Sequence, residues 1–195
     1  MSGYTPVGWA SDGVHPLSQA NMKTLDAGIY NSTTKLGEVV LTEAASSVTF
    51  SSIPAGYKNL LVVVYGIHAG TGFVSLNVRF NGDGSAGAYD SLRRWSTVAA
   101  GTTFDFGSFT VMRVGVVNAS SRSALSILIP RYGERGRRKV AYGSGFLAGA
   151  TDSMAALTDG GGRWMTSFDA ITSVLVSPSG EDWVEGSEFY LYGMR

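Results

Sequence analysis

The sequence predicts an all-β protein, an antiparallel β-sandwich of jelly-roll kind, preceded by an extended N-terminal arm and one short helix. Three observations carry this. Gly, Ser and Thr together make up a third of the 195 residues, a composition suited to strands joined by many turns. From Gly37 onward apolar residues recur with a period of two. No helical pattern is interleaved with these stretches, which argues against a doubly wound sheet. The predicted division is therefore an arm and helix over residues 1–36 and a sandwich over residues 37–195.

Residues 1–16 hold Gly3, Pro6, Gly8, Gly13 and Pro16 and read as an irregular arm. A helix is predicted over about Ser18 to Tyr30: Ser18 suits the N-cap, Leu17 and Met22 have staple spacing, and Met22, Leu25 and Ile29 form one apolar stripe. A helix of this length is marginal alone, so the stripe needs a partner surface. In Phe73-Val-Ser-Leu-Asn-Val-Arg-Phe80, Val74, Leu76, Val78 and Phe80 share one face and Ser75, Asn77 and Arg79 the other, with a turn at Asn81-Gly82. Leu60 to Tyr65 is apolar on both faces and reads as a central strand. Further candidates are Glu38 to Thr42, Ser47 to Phe50, Phe104 to Val117, Ala124 to Pro130, Lys139 to Leu147, Thr172 to Ser177 and Glu188 to Met194, giving roughly nine to eleven strands. The glycine triplet at 160–162 reads as a loop.

Fifteen basic and fifteen acidic residues cancel, so no overall field recruits nucleic acid or an anionic membrane. No cysteine is present for a disulfide, a thiolate metal site or a nucleophile. The longest strongly apolar run, Leu60 to Tyr65, is far too short to span a membrane, and residues 1–12 lack an export pattern, so synthesis in the cytoplasm is expected.

Catalytic chemistry is sparse. Only His15 and His68 could act as imidazole bases, and there is no nucleophile elbow or phosphate loop, so both histidines read as structural. The acids Asp152, Asp159, Asp169, Glu181, Asp182, Glu185 and Glu188 form no distinctive pair for glycoside hydrolysis. Asn81 to Gly87 offers oxygens at alternate positions but has Leu92 where a calcium loop needs its last acid, so it reads as a hairpin loop. No enzyme activity, metal or cofactor is expected.

Two groups remain as candidate ligand contacts. The segment Arg131-Tyr-Gly-Glu-Arg-Gly-Arg-Arg-Lys139 concentrates five cations around one acid, so Arg131, Arg135, Arg137 and Arg138 either grip an anionic group or pair with acids of this chain or a sister subunit. Trp95, Trp164 and Trp183 fall in or beside predicted turns next to Arg94, Arg163 and Asp182. They either stack on saccharides or plug the end of the core.

Two groups of phrases carry a family likeness. Val7-Gly-Trp9 followed by His15-Pro-Leu-Ser-Gln-Ala-Asn-Met-Lys-Thr-Leu-Asp-Ala-Gly-Ile29 resembles the N-terminal attachment segment of bacteriophage fibre and baseplate-associated proteins. Val48-Thr-Phe-Ser-Ser-Ile-Pro-Ala-Gly-Tyr57-Lys-Asn-Leu, Val78-Arg-Phe-Asn-Gly-Asp83, Tyr89, Ala170-Ile-Thr-Ser-Val174 and Gly186-Ser-Glu-Phe-Tyr-Leu-Tyr-Gly193 are similar to β-sandwich modules of tailed-phage tail fibre, minor tail and head fibre proteins. The resemblance implies a virion structural protein that docks and trimerises through Trp9, Leu17, Met22, Leu25 and Ile29. Its partners would be other virion proteins and sister copies in a homotrimer, with no nucleic acid and no membrane insertion. Two roles follow: a tail or baseplate fibre or adhesin that binds host surface glycan, or a capsid-associated head fibre or decoration protein without a ligand.

Overall fold

A computed structural model describes residues 33–97, 101–119, 121–147 and 156–195. The predicted arm and helix, with Trp9, Leu17, Met22, Leu25 and Ile29, lie outside the described residues. The described chain is all-β, in two antiparallel sheets. Its strands are β1 (Thr33–Val40), β2 (Val48–Phe50), β3 (Asn59–Gly66), β4 (Phe73–Phe80), β5 (Tyr89–Thr97), β6 (Gly101–Phe109), β7 (Met112–Asn118), β8 (Ser123–Pro130), β9 (Val140–Leu147), β10 (Ala156–Trp164), β11 (Val174–Pro178) and β12 (Glu188–Met194). One sheet has eight strands in the order β1-β12-β3-β8-β9-β10-β5-β6, and the other four in the order β2-β11-β4-β7.

The two sheets share one core. Leu60, Val62 and Val64 of β3, Ile127 and Ile129 of β8 and Phe189 of β12 face Leu76, Val78 and Phe80 of β4, Met112 and Val114 of β7 and Val174 and Val176 of β11. All are essentially removed from solvent, each contributing roughly 1.5–3 kcal/mol of transfer free energy. Leu60 to Tyr65 does sit in the middle of the large sheet, between β12 and β8. Its second face is not covered, however: Leu61 and Val63 are half-buried and Tyr65 is exposed.

Three expectations need correction. Phe104 to Val117 is not one strand: β6 pairs with β5 in the large sheet, and after a bend at 110–111 the chain crosses to the small sheet as β7. No Gly or Pro marks that crossing. The glycine triplet is not a loop but the middle of β10, paired on both sides with β9 and β5. With β5 and β10 added and the long run divided, the described residues hold twelve strands, and the first begins at Thr33 rather than Glu38.

The triplet has a packing reason. The inner face of β9 and β10 is covered by β7, which runs so close that a Cβ at Gly143 would collide with the Val114 carbonyl oxygen. One at Gly160 would come within 3.0 Å of the Val114 carbonyl carbon, and one at Gly162 within 3.1 Å of Met112 Cγ. At Gly143 and Gly160 backbone packs on the backbone of β7, and only glycine leaves room.

Gly143→Ala should therefore force β7 away from the large sheet. Overpacking of this kind costs roughly 1–3 kcal/mol, or several degrees in Tm for a chain of this size. Thermal unfolding should show that loss, while Gly56→Ala, where an added Cβ meets nothing within 4 Å, should unfold close to wild type.

Candidate functional site

The register fixes which features share an end of the body. Thr33 pairs with Met194, Met194 with Asn59 and Asn59 with Pro130. The start of β1 therefore lies three strand spacings, about 15 Å, from the end of β8, where the basic segment begins. The loops 41–47, 67–72 and 179–187 lie at the opposite end.

The basic segment is an ordered loop folded around its one acid. Lys139 is buried, its ammonium donating to the carbonyls of Glu134 and Arg137, and burial lowers its pKa. Arg131 and Arg137 approach the Glu134 carboxylate at 3.7 and 3.8 Å. Arg138 donates to Met165 Sδ and lies 5.7 Å from the centre of the exposed Phe168 ring. Arg131, Arg135, Arg137 and Arg138 all remain exposed, so the loop presents a cationic surface despite these contacts.

The three tryptophans are not loop platforms. Trp183 is fully buried, packed edge-on against Phe189, with its indole N–H directed at the Val176 carbonyl. Trp164 is buried beside Phe80 and Tyr89, and its indole N–H donates to Asp83 at 2.6 Å. Trp95 is on β5, half-buried against Val116, Leu147 and Ala156, with the Arg93 guanidinium 4.8 Å from its ring centre. A sequence places an aromatic near a turn but does not say which way it points, and here the rings serve the core.

His68 and Asp83 are likewise occupied. His68 is buried, with Nε2 3.0 Å from the Gly72 carbonyl and Nδ1 accepting from the Gly70 N–H. Asp83 pins its loop by accepting from the Trp164 indole, the Thr166 hydroxyl, and the Ser85 hydroxyl and N–H. That donor set faces the carboxylate where a cation would have to sit. The hydrogen bonds from Ser85, Thr166 and Trp164 hold the Asp83 carboxyl far below the usual carboxylate range. Among the described residues no group of three or more His, Cys, Asp or Glu is placed to hold a metal ion. No described helix is long and apolar enough to cross a membrane. Of the acids weighed above, Asp159 pairs with Arg94 and Glu188 with Arg122, while Asp152 lies outside the described residues.

Between the sheets, β6 is tied down by a charge cluster. Asp105 accepts from Arg93 of β5 and Arg113 of β7, and Arg93 also donates to Ser75 of β4 at 2.6 Å. Burial pushes the Asp105 carboxyl up, but the Arg113 hydrogen bond and the two guanidinium charges outweigh it and the net shift is downward.

The outer face of the large sheet is the feature the sequence did not disclose. Tyr142, Gly161, Leu92 and Phe106 line up across four strands; Ser144, Asp159, Arg94 and Phe104 form the next row, and Phe146, Leu157, Ser96 and Thr102 the third. Phe106 is 80% exposed, and Phe104 and Leu157 are each 64% exposed. Beside them lies an open depression of about 830 Å³, lined in part by Tyr65, Ser126, Phe146 and Leu157. The alternation along β5, with Leu92 and Arg94 outside and Arg93 and Trp95 inside, is visible in the sequence but assigns the charged face to either side. Comparison with family models, with curated proteins and with solved structures gives no match.

Asp83 should make stability acid-sensitive. Its folded pKa lies below the unfolded value near 3.9, so its contribution is fully present above that pH and fades as pH falls toward the folded value. Asp83→Ala should unfold at lower temperature than wild type at pH 7, and the gap measured by calorimetry should narrow steadily below about pH 4.

Proposed function

We propose that the chain is a bacteriophage virion structural protein, a jelly-roll β-sandwich module held to the particle by its N-terminal segment. The observation that carries the fold is the order of the strands. With the β5–β6 and β9–β10 hairpins set aside, β1, β3, β8 and β12 lie in one sheet and β2, β4, β7 and β11 in the other, in orders β1-β12-β3-β8 and β2-β11-β4-β7, and the chain changes sheet at every step but β4 to β7. That arrangement supports the reading as an eight-stranded double Greek key of the kind used by capsid and lectin domains. Such a fold serves many functions, so the assignment to a phage particle rests on the phrases at residues 7–29, 48–89 and 170–193.

The placement of Thr33 gives the module a direction. An anchoring segment that ends at residue 32 joins the body at the end that carries the 131–139 loop. The exposed Arg131, Arg135, Arg137 and Arg138 then face the particle, where they meet an acidic surface of a neighbouring virion protein. In this reading three copies assemble through residues 1–36.

A second reading, a capsid-associated head fibre or decoration protein without a ligand, is favoured over a glycan-binding adhesin by one observation. Trp164 and Trp183 are buried and Trp95 is turned inward, so among the described residues no tryptophan ring face is offered to a sugar.

Density-gradient purification of particles, followed by quantitative mass spectrometry, tests the proposal. The chain should co-purify at a fixed number of copies, and Arg135→Glu/Arg137→Glu/Arg138→Glu should reduce its incorporation at least several-fold. Its absence from particles would overturn the virion assignment. Immunogold labelling on heads rather than tails, with a blank glycan array, would select the decoration role.

A further inference from the structure

We infer that the outer face of the β5–β6 and β9–β10 hairpins is a docking surface for a second copy of this chain. The inference deepens the homo-oligomeric part of the function proposed above and rests on that reading for nothing else.

Size is the first argument. Tyr65, Leu92, Phe104, Phe106, Leu128, Tyr142, Phe146 and Leu157 are all 37–80% exposed on this one face. At the usual areas of such side chains they leave on the order of 900 Å² of apolar surface. The largest apolar patch on a typical monomer is roughly 300–600 Å², and a stable interface takes roughly 800 Å² from each partner. Ser144, Asp159 and Arg94 interrupt the apolar residues, but the total is of the size that a stable interface takes from each partner.

Charge identifies the occupant. The ionic groups on the face are already paired, Arg94 with Asp159 at 2.6 Å and Arg163 with Asp90 at 2.8 Å. A partner carrying a strong charge would find nothing to answer it, whereas a second copy brings the same neutral, apolar surface. Shape agrees, because Phe104 and Phe106 stand at the rim and the 830 Å³ depression recedes between Tyr65 and Leu157. Projection and recess occur on one chain, so two copies supply each other's complement.

The sheet edges point the same way. β1, one edge of the large sheet, is broken by a bulge at Lys35/Gly37 and carries Lys35 and Glu38, two of the usual guards against strand pairing. β6, the other edge, pairs with β5 in unbroken register over nine residues and has no Lys, Arg or Pro. Its one acid, Asp105, is turned inward to Arg93 and Arg113. The unguarded edge is the one bordering the apolar face.

Sedimentation velocity of the full-length chain, with Phe104→Ser/Phe106→Ser/Leu157→Ser alongside, tests this. Wild type should sediment as an oligomer at micromolar concentration, and the variant, which keeps residues 1–36, should associate at least tenfold more weakly with unchanged far-ultraviolet circular dichroism. A wild type that is monomeric at 100 µM, or a variant as oligomeric as wild type, would overturn the proposal. Because the chain has no cysteine, Ser144→Cys provides a single site for a nitroxide at the centre of the face, independent of the triple variant. The label should be immobilised and dipolar-broadened in the oligomer. A label mobile in the free chain and immobile only on purified particles would assign the face to another virion protein and overturn the proposal. That result would leave the virion assignment standing.

Discussion

The close approach of β7 to the glycines of β9 and β10 is the constraint on which the rest of this protein depends. A four-stranded sheet is too narrow to cover an eight-stranded one with side chains alone. Along β9 and β10 the inner positions include Ala141, Gly143, Gly160 and Gly162, and β7 comes closest at Gly143 and Gly160. One strand thus closes the inner face of two hairpins that would otherwise expose it. The Arg93, Asp105 and Arg113 cluster continues this closure to the edge, tying β6 through β5 and β7 to the small sheet. Removing the acid from such a cluster leaves two guanidinium groups partly desolvated without a counter-charge, which is more costly than never having built the cluster.

Once the inner face is closed, the hairpins can extend the large sheet without extending the core. What they add is area, and it faces outward. The positions that carry Leu92, Phe104, Phe106, Tyr142, Phe146 and Leu157 do no work in holding the two sheets together, since their side chains lie on the far side of the strands from the small sheet. Stability and surface are thereby separated. The other eight strands supply the packed body, and the hairpins supply the surface.

Much of the body was legible in the sequence because burial on one side imposes a period of two. Val74 to Phe80, Ala124 to Pro130 and Glu188 to Met194 carry that signal and became β4, β8 and β12. β5 and β10 did not, because their inner positions hold Ser91, Arg93, Gly160 and Gly162 and their outer positions hold Leu92 and Leu157. Where backbone replaces side chains in the interior, hydrophobic alternation fades or inverts, and glycine reads as a turn. The basic loop was legible as a charge cluster, but its internal organisation around Glu134 and a buried Lys139 was not, because a lysine at a loop end ordinarily reads as solvated. The direction of the tryptophans was beyond reach for the same reason in reverse: proximity to a turn fixes position along the chain, not the side of the sheet.

The unequal edges of the large sheet limit how far it can grow. A ribbon of sheets joined end to end needs a receptive edge at both ends of every unit, and here the bulge at Lys35/Gly37 spoils one of them. Any pairing at β6 uses up the only receptive edge of the large sheet among the described residues. Growth of that sheet by edge pairing then stops rather than running on into a filament, so the same strand that invites pairing also caps it.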